Sequence, residues 1–419
     1  MGDEKRLSDT VIRLMERGVS IPNPSSVEIG DDVEIERISK GGIVLYSGTK
    51  IYGSSTLIGS GTKLGYEAPV TLSDCQIGPG VELKGGFFKK SVFLEKANMA
   101  SGAQVREGCI LEEEANGSHT VGIKQTILFP FVTLGSLINF CDCFMAGGTS
   151  RKNHSEVGSS YIHFNYTPNQ DKATASLIGD VPRGVMLDQP PIFLGGQGGL
   201  VGPARIGYGT VIAAGSVYRG DCPEGGKLLS EANTTGEKDF YPGFYGDIQR
   251  RVTNNIFYLA NLLALREWYL HVRKPFFEVQ EFGAELYEGM REKLDMAIEE
   301  RLKRFAALSE KMEQSMSIAG RVFDGKGVKE LIGMKREFSN NWSRIEECFA
   351  RKYEEKTALD ERNAFLEIVV DSVEKGESGY LATIQSLSAD EKRKGTIWLQ
   401  SIVDHIAGRV FDLIPSYRK

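Results

Sequence analysis

From Leu194 to Val217 the chain reads LGGQGG LVGPAR IGYGTV IAAGSV, with an aliphatic residue at 194, 200, 206 and 212 and usually a small residue next to it. The same six-residue beat returns at Ile29 and Ile35, at Ile58, Leu64 and Val70, at Ile77 and Leu83, and at Met99, Val105 and Leu111. Such a repeat marks a parallel β-helix. Each hexad lays down one short strand and one turn, points its aliphatic residue into the coil, and uses glycine or another small residue at the sharp corner. Neighbouring coils then stack and share one core.

Each coil touches only the next, so loops can leave one coil and rejoin it, and breaks in phase carry information. They fall at 85–95, 112–125 and above all 137–191, a polar and Gly-rich stretch that includes SYIHFNYTP at 160–168. Loops displayed on a rigid scaffold are the usual home of binding residues. Beyond EANTTGEKDFYPGFYGD the hexads stop, and from Ile248 apolar residues take helical spacing, as at Phe282, Leu286, Met290, Leu294, Ile298, Leu302, Phe305 and Leu308. The predicted organisation is an N-terminal helix and linker over 1–24, a β-helix over 25–230, a linker over 231–247 and an all-α domain over 248–419. In the last of these, IFYLANLLALREWYLHV is apolar nearly all round and reads as a central helix bounded by Pro275.

Composition narrows the function. A formal net charge of -6 without clusters of Lys and Arg argues against a nucleic-acid partner. The longest apolar runs, such as Ile256 to Leu265, fall short of the roughly 20 residues that cross a bilayer. The charged N-terminal stretch lacks the apolar core of a signal peptide, so a cytoplasmic location is expected. Six cysteines without CxxC pairing suggest reduced, packed thiols, and no metal is expected.

LMERGVSIPNPSSVEIGDDVEI, VREGCILEEE, VGIKQT, HFNYTPNQDKATASLIGD and IFLGGQGGLVGPARIGYGTVIAAGSV together resemble the bacterial bifunctional N-acetylglucosamine-1-phosphate uridyltransferase/glucosamine-1-phosphate acetyltransferase family. The resemblance covers roughly residues 11–222, that family's acetyltransferase half, and stops before the helical domain. It implies a left-handed coil, a homotrimer with sites between neighbouring subunits, acetyl-CoA as acyl donor and an amino-sugar phosphate or nucleotide-linked amino sugar as acceptor. No GxGTR-type phosphate loop is present, so the uridyltransferase chemistry is not expected.

Residue by residue, the resemblance places Arg106 and Lys124 on the sugar phosphate. They stand 18 residues apart (124 − 106), three hexads or one coil, so both side chains fall on one edge. Asn165 and Tyr166 match the family's loop against the amino sugar, where an amide offers donor and acceptor and a tyrosine offers a flat face with a polar tip. Gly196 and Ala214 match positions beside the acyl group.

The general base is where the chain departs. An amino sugar is largely an ammonium near neutral pH, and a histidine suits its deprotonation. A gapless alignment puts Ser136 where the family has its histidine, whereas RKNHSEVG offers His154, 30 residues after Lys124 and one whole coil further on. His163, just before Asn165, is a third candidate. No arginine follows IAAGSVYRGD where the family holds coenzyme A phosphates, leaving Arg219 or Lys227, and PRGVMLDQPP is an insertion beside the expected site. Two further readings stand beside the acyltransferase: a catalytically inactive β-helix that binds a sugar nucleotide or a protein partner, and a metal hydratase like the γ-class carbonic anhydrases using His119, His154 and His163.

Overall fold

The computed structural model describes residues 7–230, 236–237, 239–350, 358–375 and 379–418. Most of the first half of the expected linker therefore lies outside the described residues. From Glu28 to Leu229 the chain is a parallel solenoid of the left-handed β-helix type with three faces. Strands such as Val70–Ser73, Gly86–Lys89, Ala103–Val105 and Gly199–Val201 stack in the first face. The second face holds Gln76–Ile77, Ser91–Phe93, Cys109–Leu111, Ser176–Ile178 and Arg205–Ile206. A ten-stranded ladder from Val44–Leu45 to Leu228–Leu229 makes the third.

The hexads explain the core. Every aliphatic position in the repeats above is buried, with none more than 8% exposed. Each such side chain removed from water is worth about 1.5–3 kcal/mol, and consecutive coils supply one another's packing partners. The phase breaks at 85–95 and 112–125 are not loops: strands Gly86–Lys89 and Val121–Leu128 continue the coil through them. Val121–Leu128 and Ile138–Met145 bend round the corner between the first and second faces, with Gln125 and Asp142 at φ of 50° and 59°. True excursions are confined to 147–155, 165–175 and 180–191.

An N-terminal helix α1 (Asp9–Glu16) precedes the solenoid, and a single turn α2 (Val181–Gly184) interrupts it. The helical region follows with α3 (Ile248–Trp268), α4 (Lys274–Glu278), α5 (Gly283–Glu310), α6 (Met312–Val322), α7 (Lys326–Asn340), α8 (Trp342–Ala350), α9 (Leu359–Lys375), α10 (Tyr380–Ser386) and α11 (Ala389–Leu413). It lies along the second face of the solenoid. α5 approaches so closely that a Cβ on Gly289 would stand 2.7 Å from Gln76 Oε1, so a larger residue there would displace the Gln76 side chain.

α3 is buried on nearly all sides, as its pattern predicts, but it is a bridge between two layers. Its apolar residues pack on α11, and its buried asparagines reach the solenoid: Asn255 donates to Ala173 O at 3.0 Å, and Asn261 Oδ1 accepts from Val181 N at 2.9 Å. Backbone groups exposed where the coil is interrupted thus find partners. Pro275 does not end the helix. A π-helical turn, Tyr269–Arg273, carries the chain without a break into α4, with Pro275 just after that turn. PRGVMLDQPP forms α2 and its flank, packed under α3 and α11 with Val181, Val185 and Met186 buried. It is an anchor for the helical region.

Candidate functional site

The corner between the first and second faces gathers three of the expected residues. Gln104 pairs with Gly122 and Val105 with Ile123, which puts Arg106 and Lys124 on one edge in consecutive coils. Lys124 is in turn in register with Cys141. Arg106 is exposed, with Nη2 3.7 Å from Cys141 Sγ. Lys124 Nζ donates to Glu107 Oε1 at 2.6 Å, and this contact holds the Glu107 carboxyl below its ordinary range. The edge therefore carries two cations against one carboxylate.

Asn165 joins this corner from the next coil. Its Nδ2 donates to Asp142 Oδ2, next to Cys141, and its carbonyl accepts from Thr174 Oγ1 at 3.0 Å. The loop that follows is tied down by the helical region at many points. Arg301 Nη2 of α5 donates to Asp142 Oδ1 at 2.6 Å, and its Nη1 donates to Lys172 O at 3.2 Å. Asp171, 3% exposed, accepts from Thr167 Oγ1, Tyr245 OH and Arg251 Nη1. Lys311 Nζ and Gly243 N donate to the backbone carbonyl and the side chain of Asn169. Tyr166 points away, 64% exposed.

His163 is 1% exposed, inside the coil. Its Nδ1 is 2.7 Å from Cys141 O and its Nε2 2.8 Å from Ser176 Oγ. Burial pushes its pKa down to about 4, which keeps the ring neutral. A ring so held joins neighbouring coils, with both of its nitrogens engaged by the solenoid.

His154 lies elsewhere. It sits on an antiparallel hairpin, Gly148–Ser150 with Asn153–His154, that leaves the solenoid at the corner between the second and third faces. The 30-residue spacing therefore does not keep it on the edge of Lys124, because the hairpin takes up residues that a whole coil was expected to use. The ring is half-buried, with Nδ1 3.3 Å from Ser155 O.

Ser136, Gly196 and Ala214 occupy the remaining corner, between the third and first faces. Ser136 N donates to Ser159 Oγ at 3.2 Å, and a Cβ on Gly196 would stand 2.9 Å from Ser159 O. Coil stacking alone requires a small residue at Gly196; Ala214 is exposed.

Sequence reasoning missed Asp142, Asp171, Tyr245, Arg251 and Arg301. The contacts that tie them across to the helical side span 74 to 159 residues, beyond any spacing rule. Among the described residues no group of three His, Cys, Asp or Glu could hold a metal ion, and His119 faces Glu67 at 3.4 Å.

No family model matches the chain. Curated relatives do match. A protein named "Bifunctional protein GlmU" from Thermotoga maritima is 29% identical over 211 residues, 50% of this chain and 42% of the relative. Its namesake from Fervidobacterium nodosum is 30% identical over 220 residues, covering 52% and 43% of the two chains. That from Carboxydothermus hydrogenoformans is 25% identical over 227 residues, covering 54% and 45%. The chain spans less than half the length of the relatives it matches.

Proposed function

We propose that this chain, whose solenoid is related to the GlmU proteins, transfers an acyl group from acetyl-CoA to the amine of a phosphorylated or nucleotide-linked amino sugar. The observation that carries the reading is the shared corner: Arg106, Lys124 and Asn165 converge there from three coils. A phosphate held between guanidinium and ammonium would fix one end of the acceptor, with the Asn165 amide and the outward Tyr166 ring orienting the sugar. The amine must lose a proton before it attacks the thioester carbonyl; the new C–N bond forms as the C–S bond breaks and the thiolate takes up a proton. His154 is the base in this reading, with Gly196 and Ala214 beside the acyl chain.

His154 and Arg106 stand at different corners of one chain, so the reading requires a second copy to bring them together. The helical region covers the second face, leaving the first and third for assembly. Both carry outward apolar residues: Leu137, Ile162 and Phe164 on the first, and Phe193, Val211 and Leu228 in ladder register on the third. These strips support a homotrimer, which solution mass measurement tests. No helix among the described residues is long and apolar enough to cross a membrane.

The test is thiol release from acetyl-CoA with glucosamine 1-phosphate and UDP-amino sugars as acceptors, beside His154→Ala and Arg106→Ala. Acceptor-dependent release lost in His154→Ala supports the reading, and loss of phosphate dependence in Arg106→Ala identifies the edge. A second reading, an inactive binder of a sugar nucleotide, is favoured by the way Glu107 and Asp142 already occupy Lys124 and Asn165. Absence of release from folded, trimeric protein that still binds a UDP-sugar would establish it.

A further inference from the structure

Where the last coil of the solenoid meets α3 and the end of α11, the seam encloses a cavity of about 480 Å³. It lies at the far end of the second face from the Arg106 and Lys124 edge, and it exists only because this chain adds helices to a solenoid. Its walls are partly aromatic, from Phe257, Phe411 and Tyr417, and its volume is in the range of small-molecule sites.

Arg205 is the group that gives the cavity a chemical character. The last full coil fixes its backbone, since Arg205 N donates to Asp221 Oδ1 at 2.9 Å. Its guanidinium carbon lies 3.8 Å from the Phe257 ring centroid, a stacking that holds the planar fork in one orientation. Among the described residues that guanidinium donates no hydrogen bond and makes no ion pair within 4.0 Å. Desolvation lowers its pKa despite the more distant Asp221, Asp180 and Glu224.

The other charges lining the cavity are already engaged. Arg250 donates to Asp247 and to Pro203 O, and Arg418 donates to Asp412 and Gly408 O. Asp221 also accepts from Asn254 Nδ2 at 2.9 Å. Three arginines, Arg205, Arg250 and Arg418, line the cavity with two carboxylates, Asp221 and Asp247, and Asp412 just outside the lining takes Arg418, so the cavity carries no net charge. What sets it apart is that the Arg205 guanidinium keeps five unspent N–H donors. The cavity also opens at the N-terminal end of α3, where Asp247 makes no side-chain cap.

We propose that this seam cavity binds a small organic oxyanion, a phosphate or carboxylate on an apolar or aromatic body, with Arg205 as the bidentate contact and Phe257, Phe411 and Tyr417 around the body. Such a ligand would bridge solenoid and helices and bind independently of the solenoid corner proposed for acyl transfer.

Isothermal titration calorimetry on the full chain tests this with phenyl phosphate, benzoate and inorganic phosphate as probes. Phenyl phosphate or benzoate is expected to bind several-fold more tightly than inorganic phosphate, and whichever organic probe binds identifies the preferred head group. Arg205→Gln should weaken binding at least about tenfold, the usual effect of losing a charge-assisted bidentate contact, and Arg205→Lys should weaken it less. If Arg205→Gln fails to fold by circular dichroism, Thr253→Phe, which fills the cavity and keeps Arg205, should abolish the heat. The double variant Arg106→Ala/Lys124→Ala should retain it. No heat with either organic probe up to about 10 mM overturns the proposal. So does binding that survives Arg205→Gln or disappears in the Arg106/Lys124 double variant.

Discussion

Glu112 should make docking of the helical region depend on pH, and Glu112→Gln should remove that dependence. Glu112 is 2% exposed at the interface between solenoid and helices, and Tyr269 OH donates to its Oε1 at 2.6 Å. The adjacent Glu113 takes the Arg273 guanidinium, so two buried carboxyls share one cation. Burial pushes Glu112 up to about 7 from an ordinary 4.5, with Arg273 opposing and Glu113 adding to the rise. A folded-state pKa above the unfolded one means that the folded chain binds more protons between these values. Stability is therefore fully present below about pH 4.5 and is lost as pH rises through 7. At 1.36 kcal/mol per unit, 2.5 units amount to about 3 kcal/mol. Glutamine keeps the acceptor for Tyr269 and cannot ionise, so Glu112→Gln should be more stable than the parent by up to about 3 kcal/mol at pH 8 and about equal to it at pH 4.5. All three tryptophans, Trp268, Trp342 and Trp398, lie in the helical region, so urea unfolding followed by tryptophan fluorescence reads that region selectively. Parallel pH dependences in parent and variant would refute the reasoning.

Leu200→Ala, in the middle of a hexad ladder and fully buried, should cost about 2–5 kcal/mol by calorimetric or urea unfolding, since the coil cannot collapse around the void. Arg301→Met should strand the buried Asp142 carboxylate and free the 165–175 loop, at a cost of about 3–5 kcal/mol; hydrogen exchange should show lost protection in that loop and little change in the coils before residue 100. Asn261→Leu should leave Val181 N without an acceptor and lower stability by about 1–3 kcal/mol, read as an earlier urea midpoint in tryptophan fluorescence.

The solenoid was legible because its information is local. A single aliphatic residue every six, with small residues at the corners, specifies the coil, and the 18-residue step from Arg106 to Lys124 carries straight into the observed register. SYIHFNYTP shows where local reading fails. Hydropathy would turn Ile162 and Phe164 inward, yet Tyr161 and His163 face the core and those two face out. The register is set by pairing on both sides, Asn139 with Ile162 and His163 with Leu200, so the whole segment is committed to that parity. A polar imidazole is tolerated inside because Cys141 O and Ser176 Oγ meet both its nitrogens. Neither partner is marked in the sequence as belonging to it.

The helical region was legible as helices and illegible as a clamp, for a physical reason. A helix that packs through apolar side chains announces a face, whereas one that docks through asparagine and arginine onto backbone carbonyls leaves no complementary pattern in the partner, because every residue has a carbonyl. Asn254, Asn255 and Asn261 were the available sign: three buried amides in an apolar helix must be satisfied by something outside it. The same logic reaches the candidate site. Loops on a solenoid are ordinarily free to close on a ligand, but here Asp171, Lys172, Ala173 and Asn169 are all held from the helical side. Any closure of Tyr166 over a bound sugar must therefore come from its own side chain, or be coupled to movement of α5 through Arg301 and Asp142.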